Sequence, residues 1–296
     1  MNSANIKFVF FGTGDFGAKV LEKLIERDYA PTMVVTAPDR PKGRKLELTP
    51  PPVKNKIKNL EYGIKSKIKI IQPEKLIDLP LGGGTAKRFD LLIVADYGKI
   101  IPRSILDIPK FGTLNAHPSL LPKFRGPSPI QSFILSGEKK TGATIMLMDE
   151  EIDHGPILAK QELEFSIFNG QFSKPNAQQL EEKLAELSGQ ILADVIPKWI
   201  NGEIHAQEQD HGKATFSKKI KKEDGQVDPE KDDPELIYKK FLAFQPWPGI
   251  YYFMEKNNKK IRVIITDMEL SANGEMIIKK IKPEGKKEMS YQDFLQ

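Results

Sequence analysis

The chain has 296 residues, of which 39% are hydrophobic, 29% charged and 8% aromatic, with a net charge of +5. This composition is that of a globular protein with one large or two modest cores, and it excludes disordered and collagen-like chains. The absence of cysteine excludes disulfides, thiolate zinc sites and a cysteine nucleophile. No apolar run approaches the ~20 residues that cross a bilayer, and the first residues do not resemble a secretory leader. We therefore expect a cytoplasmic protein without a membrane partner.

The first half of the chain alternates strand and helix patterns. Apolar residues repeat at helical spacing after the first strand-like run, beginning at Phe16. Strands separated by helices predict an α/β fold with a parallel sheet, whose ligands lie beyond the carboxyl ends of the strands. The predicted strands are Ile6–Phe11, Thr32–Thr36, Lys67–Ile71 and Asp90–Ala95.

A proline-rich segment over residues 37–53 is predicted to be a long irregular connection, which is usually functional or disordered. It opens a basic region, because residues 40–69 hold ten Lys or Arg and only two acidic residues. Two interpretations stay open: a solvated surface, or a loop that contacts phosphates. A second connection, Gly82–Gly84, is interpreted as a plain surface loop.

A long amphipathic helix is predicted over residues 176–199, and the pattern of apolar and polar residues changes after it. The segment 203–213 is polar and reads as a linker, and the β-type runs beyond it are separated by Asn and Gly turns. We therefore predict domains at residues 1–202 and 214–296, the second being a small β domain. Its predicted strands are Ile250–Met254, Ile261–Thr266 and Glu275–Lys280.

A glycine-rich turn, Gly12-Thr13-Gly14-Asp15-Phe16-Gly17, joins the first strand to the first helix, and Asp39 follows the second strand. This spacing matches the dinucleotide-binding fingerprint. Glycine is also required wherever a strand turns tightly into a helix. A nicotinamide site and a structural turn are therefore both compatible with this segment.

Asn115 and His117 are two residues apart in a segment that reads as extended, so their side chains should leave the same face. Prolines at 118 and 122 restrict the backbone that presents them. An amide and an imidazole that point together are suited to stabilise a developing oxyanion.

Asp153 lies in a turn crowded with acidic residues, Met148–Ile157. Acidic residues and a histidine could hold a metal ion, but His117 and Asp153 alone are too few ligands for a tight centre, so no metal is predicted. Orientation of His117, or acceptance of a proton, is the more economical role for Asp153.

With these residues in view, the sequence resembles the folate-dependent formyltransferase superfamily, and within it the methionyl-tRNA formyltransferase family. The superfamily motifs are Asn115–Pro122, Arg125-Gly126, Pro129–Gln131, Thr141–Met146 and Asp153–Gly155. The segments that narrow the resemblance are Pro38–Arg44, Thr215–Ile220, Phe241–Gly249 and Met289-Ser290.

The resemblance implies a Rossmann-like formyltransferase domain followed by an OB-like C-terminal β-barrel that helps to hold tRNA. The implied reaction transfers a formyl group from 10-formyltetrahydrofolate to methionine on initiator Met-tRNA, in a protein expected to be a monomer. By position, Asn115, His117 and Asp153 would be catalytic. The residues implied to line the folate site are Ser119, Leu120, Leu121 and Pro122. Those implied to approach the tRNA are Arg40, Lys42, Arg44 and Lys45.

Three residues depart from the pattern of the family. Gly14 replaces a usual proline, Asp96 a small apolar residue and Glu151 a usual glycine. The two acidic residues add negative charge near the expected folate pocket. Other readings remain open: a sugar-nucleotide formyltransferase or a formyltetrahydrofolate hydrolase with the same three catalytic residues, a nicotinamide-dependent dehydrogenase, and a non-catalytic tRNA-binding protein.

Overall fold

A computed structural model describes residues 6–43, 45–76, 79, 89–163, 175–256, 258–271 and 273–296. These residues fall into two compact units, the first drawn from 1–125, 140–164 and 181–216, the second from 126–139, 165–180 and 217–296. The α-helices are α1 (Asp15–Glu26), α2 (Pro52–Lys58), α3 (Tyr62–Lys65), α4 (Arg103–Leu106), α5 (Pro129–Ser136), α6 (Ala177–Ile200), α7 (Pro234–Ala243) and α8 (Tyr291–Leu295). None of the described helices is long and apolar enough to span a membrane.

The first unit is built on a seven-stranded sheet of order β5-β2-β1-β6-β7-β8-β9. Neighbours from β5 through β7 pair in parallel, whereas β8 and β9 are antiparallel additions at one edge. These strands are β1 (Phe8–Gly12), β2 (Met33–Val35), β5 (Lys69–Ile71), β6 (Leu91–Ala95), β7 (Thr113–His117), β8 (Thr141–Leu147) and β9 (Ile157–Leu163). The predicted α/β fold with a mostly parallel sheet is confirmed.

Complete burial of the central strands explains why they read as continuous apolar runs. Every residue of β1, β6 and β7 is buried, as expected for parallel strands covered on both faces. Helix α1 begins directly after β1 and buries its apolar face through Val20, Leu21 and Leu24. Because β1, β6 and β7 pair in parallel, their carboxyl ends lie side by side along the same edge of the sheet, the edge at which the strands end.

The prediction of an irregular connection over residues 37–53 is wrong. The segment contains a β-hairpin of β3 (Arg40–Lys42) and β4 (Glu47–Thr49), followed by the start of α2. The two strands pair with Arg40 opposite Thr49 and Lys42 opposite Glu47. Pro41 is tolerated because the ribbon has only two strands and therefore consists of edges. Gly43 supplies the left-handed conformation, φ 75°, where the chain leaves β3.

The second unit contains a four-stranded antiparallel sheet of order β10-β11-β12-β13. These strands are β10 (Ile250–Lys256), β11 (Lys259–Leu270), β12 (Met276–Pro283) and β13 (Met289–Ser290). Helix α7 packs against this sheet and against α5, and buried side chains such as Ile237, Val263 and Ile281 supply its apolar core. A small antiparallel C-terminal β domain is thus confirmed, and the domain limits at 203–213 stay a prediction.

Candidate active site

Asn115 and His117 lie at the carboxyl end of β7 and are both buried. Strand geometry sends alternate side chains to the same face. Both side chains indeed reach one carboxylate oxygen, Oδ1 of Asp153. Asn115 Nδ2 donates to it at 3.2 Å, and His117 Nδ1 lies 3.5 Å from it. The structure therefore brings the three predicted catalytic residues together.

The loop between β8 and β9 presents Asp153, whose backbone adopts the left-handed conformation with φ 49°. Two residues later, Gly155 passes so close to β8 that a Cβ atom would lie 2.0 Å from the carbonyl oxygen of Leu147. Only glycine permits this approach, so the turn that carries Asp153 is pressed against the sheet.

The hydrogen bond of His117 on its far side fixes its tautomer. Nε2 lies 3.0 Å from the carbonyl oxygen of Phe124. A carbonyl oxygen only accepts, so Nε2 is the protonated nitrogen. Nδ1 is therefore the nitrogen that faces Asp153, and it donates to the carboxylate when the ring is protonated.

Two buried residues that are not among the predicted site residues support this turn: Gln209, and Arg125 of the superfamily motif. Gln209 Nε2 donates to the carbonyl oxygens of Asp153, at 2.9 Å, and Gly155, at 2.7 Å. Gln209 Oε1 accepts from Arg125 Nε, at 3.2 Å, and Nη2, at 2.7 Å. Gln209 belongs to the polar segment interpreted as a linker, where no periodic pattern distinguishes it.

A second set of contacts connects Arg125 to the acidic turn. Arg125 Nη2 donates to His211 Nδ1 at 2.9 Å. The imidazole of His211 stacks on that of His154 with 4.1 Å between ring centroids, and His154 Nδ1 lies 2.7 Å from Asp149 Oδ2. The turn around Asp153 is thus tied to the segment after α6 by polar contacts.

The residues implied to bind folate form a loop directly after β7. Ser119 Oγ donates to the carbonyl oxygen of Lys123 at 2.6 Å. Thr144 Oγ1 donates to the carbonyl oxygen of Ser119 and accepts from Leu121 N. Ser119 and Leu121 are fully buried, whereas Leu120 and Pro122 are half-buried. The buried pair shapes the loop, and folate binding by this segment stays a prediction.

Of the residues implied to contact tRNA, Arg40, Lys42 and Lys45 are exposed, while Arg44 lies outside the described residues. In the described part of the chain, no salt bridge joins these three cations to an acidic side chain, although Lys42 lies opposite Glu47 in the hairpin. Beside the hairpin is a cavity of about 400 Å³. Its lining comprises Thr13, residues 37–38, 40–42 and 49–52, and Tyr97, Gly98 and Lys99.

The base of the hairpin is anchored by Asp39. Lys54 Nζ donates to both carboxylate oxygens of Asp39, each at 2.8 Å. Gln72 Nε2 donates to Asp39 Oδ1 at 2.7 Å. These two partners, Lys54 first, hold the pKa of Asp39 below its ordinary value. The carboxylate of Asp39 therefore already accepts hydrogen bonds from Lys54 and Gln72, and it is not free to bind a ribose hydroxyl.

The departures at Gly14 and Asp96 fit each other. A Cβ atom on Gly14 would lie 1.9 Å from Asp96 Oδ2, so the missing side chain leaves the space that the carboxylate occupies. Although Asp96 retains solvent exposure, burial of its carboxylate and then the charge of Asp15 raise its pKa to about 6. Glu181 on α6 faces the same group, and burial followed by the charges of Asp96 and Asp15 raises the pKa of Glu181 to about 7.

These contacts argue against a dinucleotide site at the glycine-rich turn. The carboxyl groups of Asp15, Asp96 and Glu181 surround the start of α1, where a pyrophosphate would have to bind. The glycines are explained by packing instead, because a Cβ atom on Gly17 would lie 2.5 Å from the carbonyl oxygen of Ala95. Among the described residues, no group of three or more His, Cys, Asp or Glu could hold a metal ion.

Comparison with known proteins identifies the family of the chain. Residues 4–196 match the formyl transferase family model, and residues 219–276 match the model of the formyl transferase C-terminal domain. The chain is 36% identical over 310 residues to the methionyl-tRNA formyltransferase of Bacillus subtilis (strain 168), which covers 98% of this chain and 94% of that protein.

Solved structures show the same fold at lower identity. The methionyl-tRNA formyltransferase from Clostridium thermocellum aligns with a TM-score of 0.57 and 17% identity, covering 94% of this chain and 98% of that one. The N-formyltransferase from Helicobacter canadensis, in complex with folinic acid and dTDP-3-aminofucose, aligns with a TM-score of 0.59 and 17% identity, covering 93% and 94%.

The mostly parallel seven-stranded sheet and the two matching family models define a formyl transferase. Its near full-length similarity to the Bacillus subtilis protein shows which family of formyl transferases the chain belongs to. The chain belongs to the methionyl-tRNA formyltransferase family.

Proposed function

We propose that the protein transfers the formyl group of 10-formyltetrahydrofolate to the α-amino group of methionine on initiator Met-tRNA. The observation that carries the proposal is the convergence of Asn115 Nδ2 and His117 Nδ1 on Asp153 Oδ1. This arrangement offers donors for a developing oxyanion beside an acceptor for a proton.

The donors act on the formyl oxygen. When the neutral amine adds to the formyl carbon, negative charge develops on that oxygen, and Asn115 Nδ2 donates a hydrogen bond to it. His117 donates through Nδ1 in the protonated form of the ring, because its Nε2 hydrogen is held by the carbonyl of Phe124. Donors that are fixed before reaction stabilise the transition state without reorganisation.

The proton balance involves Asp153. The reaction forms a bond between the amine nitrogen and the formyl carbon, and it breaks the bond between that carbon and N10. Asp153 stabilises the protonated imidazole and accepts the amine proton, and an equivalent proton is delivered to N10. Tetrahydrofolate and formylated Met-tRNA leave. 10-Formyltetrahydrofolate supplies the activated formyl group, so the protein needs no covalent intermediate.

The surroundings of the site are compatible with a flat, partly apolar donor. Ile152, directly before Asp153, is 64% exposed. A large apolar side chain exposed beside a polar site is typical of a ligand-binding surface. Its position supports folate binding near the three catalytic residues.

The β3–β4 hairpin supports the choice of a nucleic acid as the acceptor. Its cations Arg40, Lys42 and Lys45 are exposed and lie beside strands whose carboxyl ends share one edge with Asn115 and His117. Phosphate contacts by exposed Lys and Arg supply affinity and orient the substrate. The hairpin would thereby direct the aminoacylated end of the tRNA toward the site.

The decisive experiment measures formyl transfer from 10-formyltetrahydrofolate to initiator Met-tRNA by the purified protein. Unacylated tRNA and a dTDP-linked amino sugar are offered as competing acceptors. Turnover with Met-tRNA alone is the expected result. Modification of the sugar, or donor consumption without transfer to Met-tRNA, would contradict the tRNA assignment.

The catalytic roles are tested in the same assay by single turnover. Asn115→Ala and His117→Ala should each lower the rate about a hundredfold or more, since one oxyanion donor is worth ~3 kcal/mol. Asn201→Ala and His205→Ala are matched controls at exposed positions and should retain the wild-type rate. A near-normal rate in either site variant would exclude that residue as an oxyanion donor.

A further inference from the structure

We propose that Gln209 is a positioning residue for formyl transfer, which holds the Asp153 turn in the geometry that the reaction needs. The inference rests on the proposed function and adds to it a residue outside the three catalytic groups. Gln209 would act through Asp153 and would touch neither substrate.

The amide group of Gln209 matches the turn. Its two N–H bonds are directed at two carbonyl oxygens that flank the turn, those of Asp153 at 2.9 Å and Gly155 at 2.7 Å. The first of these carbonyls belongs to Asp153 itself, whose backbone adopts the left-handed conformation, φ 49°. A non-glycine residue adopts that conformation at a cost, so neighbouring contacts must hold it.

Arg125 determines which way the Gln209 amide points. A guanidinium group has donors only. Because Arg125 Nε and Nη2 both reach one atom of the Gln209 side chain, that atom must be the oxygen. The NH₂ group is thereby directed at the turn. Both side chains are almost completely buried, Arg125 at 3% and Gln209 at 5% exposure, so water does not replace these bonds readily.

The position of the turn controls the catalytic contacts. Asp153 Oδ1 lies 3.2 Å from Asn115 Nδ2 and 3.5 Å from His117 Nδ1. These separations are already at the upper end of hydrogen-bonding distance. A small outward movement of the backbone at Asp153 would therefore remove both, and misplacement by about 1 Å is sufficient to lower a catalytic rate ~100-fold.

The test variant is Gln209→Glu, which keeps oxygen acceptors for Arg125 and loses both donors to the turn. Gln207→Glu is the matched control, because Gln207 is exposed and bonds to Ile157 through its backbone. We expect Gln209→Glu to lower the single-turnover rate about tenfold, with the KM values for both substrates within about twofold of wild type. An effect on KM alone would reject the proposal.

A double-mutant cycle asks whether Gln209 acts through Asp153. In an Asp153→Asn background, Gln209→Glu should change the rate by less than about twofold. If the two effects multiplied, Gln209 would act independently of Asp153 and the proposal would be wrong.

Hydrogen exchange tests the same contact without substrates. Backbone amides of residues 149–155 should exchange faster in Gln209→Glu than in wild type or Gln207→Glu. Unchanged exchange would overturn the proposal even if Met-tRNA were not the acceptor, so this result is separate from failure of the proposed function. If the new charge prevents folding, Gln209→Met removes the donors without adding charge and carries the same expectations.

Discussion

At the scale of single residues, Gly14 and Asp96 are complementary. The carboxylate of Asp96 lies where a side chain at position 14 would begin, and the N–H of Gly14 donates to it, which opposes the upward shift of its pKa. Either departure from the family pattern on its own would create a clash or an empty space. Together they place a carboxyl group between Asp15 on α1 and Glu181 on α6.

This cluster predicts a pH-dependent stability. The pKa of Asp96 is raised to about 6 and that of Glu181 to about 7, so the folded state binds protons more tightly than the unfolded chain. Their contribution is favourable at low pH and is lost as the pH rises through about 6 to 7. Asp96→Asn should therefore stabilise the protein by about 1 kcal/mol at pH 8, after allowance for solvent screening, and by almost nothing near pH 4.

Urea unfolding of wild type and Asp96→Asn across pH 4 to 8 measures this difference. Asp28→Asn is the matched control, because Asp28 is also left-handed, with φ 64° against 53° for Asp96, but it follows the end of α1, whereas Asp15 begins that helix. Asparagine fits both conformations equally. If the difference in the free energy of unfolding between wild type and Asp96→Asn did not depend on pH, burial and the acidic neighbours would not raise the pKa of Asp96.

The residue scale also shows what the sequence could reveal about the site. Asn115 and His117 were predictable because strand alternation places them on one face regardless of the rest of the fold. Gln209 was not, because its partners are the backbone carbonyls of Asp153 and Gly155. A contact with backbone more than fifty positions away leaves no pattern in side-chain spacing.

At the scale of elements, the β3–β4 hairpin is a small ribbon fixed at its base. Lys54 and Gln72 hold Asp39, while Arg40 and Lys42 are exposed beside the cavity. The prolines of this segment suggest breaks in regular structure, and for that reason they predict an irregular chain. The hairpin forms nevertheless, because three residue pairs join β3 to β4 and Gly43 allows the chain to turn between them. These contacts outweigh the local preference of the prolines for irregular structure.

Removing the hairpin cations should affect one substrate. Arg40→Ala with Lys42→Ala should raise the KM for Met-tRNA about tenfold through lost phosphate contacts, and should leave the KM for 10-formyltetrahydrofolate unchanged. Steady-state kinetics with each substrate varied in turn measures both constants. Equal rises would mean that the hairpin acts through the fold.

Lys7→Ala with Lys110→Ala is the matched control for that double variant. It removes the same net charge from exposed positions that precede β1 and β7, at the opposite edge of the parallel sheet. Its KM for Met-tRNA should stay close to that of wild type. A tenfold rise in this control would show that total charge, rather than the hairpin, governs the affinity.

At the scale of the whole molecule, chain order and spatial grouping differ. Helix α5 lies in the same compact unit as α7 and the C-terminal strands, although about a hundred residues separate the two helices. A division of the sequence into successive segments cannot express this grouping. The α/β class and the C-terminal β domain were predictable because they follow from the periodicity within each element, whereas the packing of α5 depends on partners distant in sequence.

Charge is likewise distributed unevenly over the molecule. The net charge is only +5, yet residues 40–69 hold ten basic residues against two acidic ones. Some of these cations form salt bridges within the protein: Lys54 pairs with Asp39, and Lys56 pairs with Glu22. In the described residues no such acidic partner is found for Arg40 or Lys42. The part of the basic region available to phosphates is therefore smaller than the sequence indicates, and it is concentrated at the hairpin.

This distribution predicts the dependence on salt. Rising KCl should increase the KM for Met-tRNA steeply and that for 10-formyltetrahydrofolate weakly, because counterions are released only when phosphates are neutralised. Each phosphate contact contributes about one unit to the slope of log KM against log salt concentration. The slope for Arg40→Ala with Lys42→Ala should accordingly fall by about two, and an unchanged slope would place the phosphate contacts elsewhere on the protein.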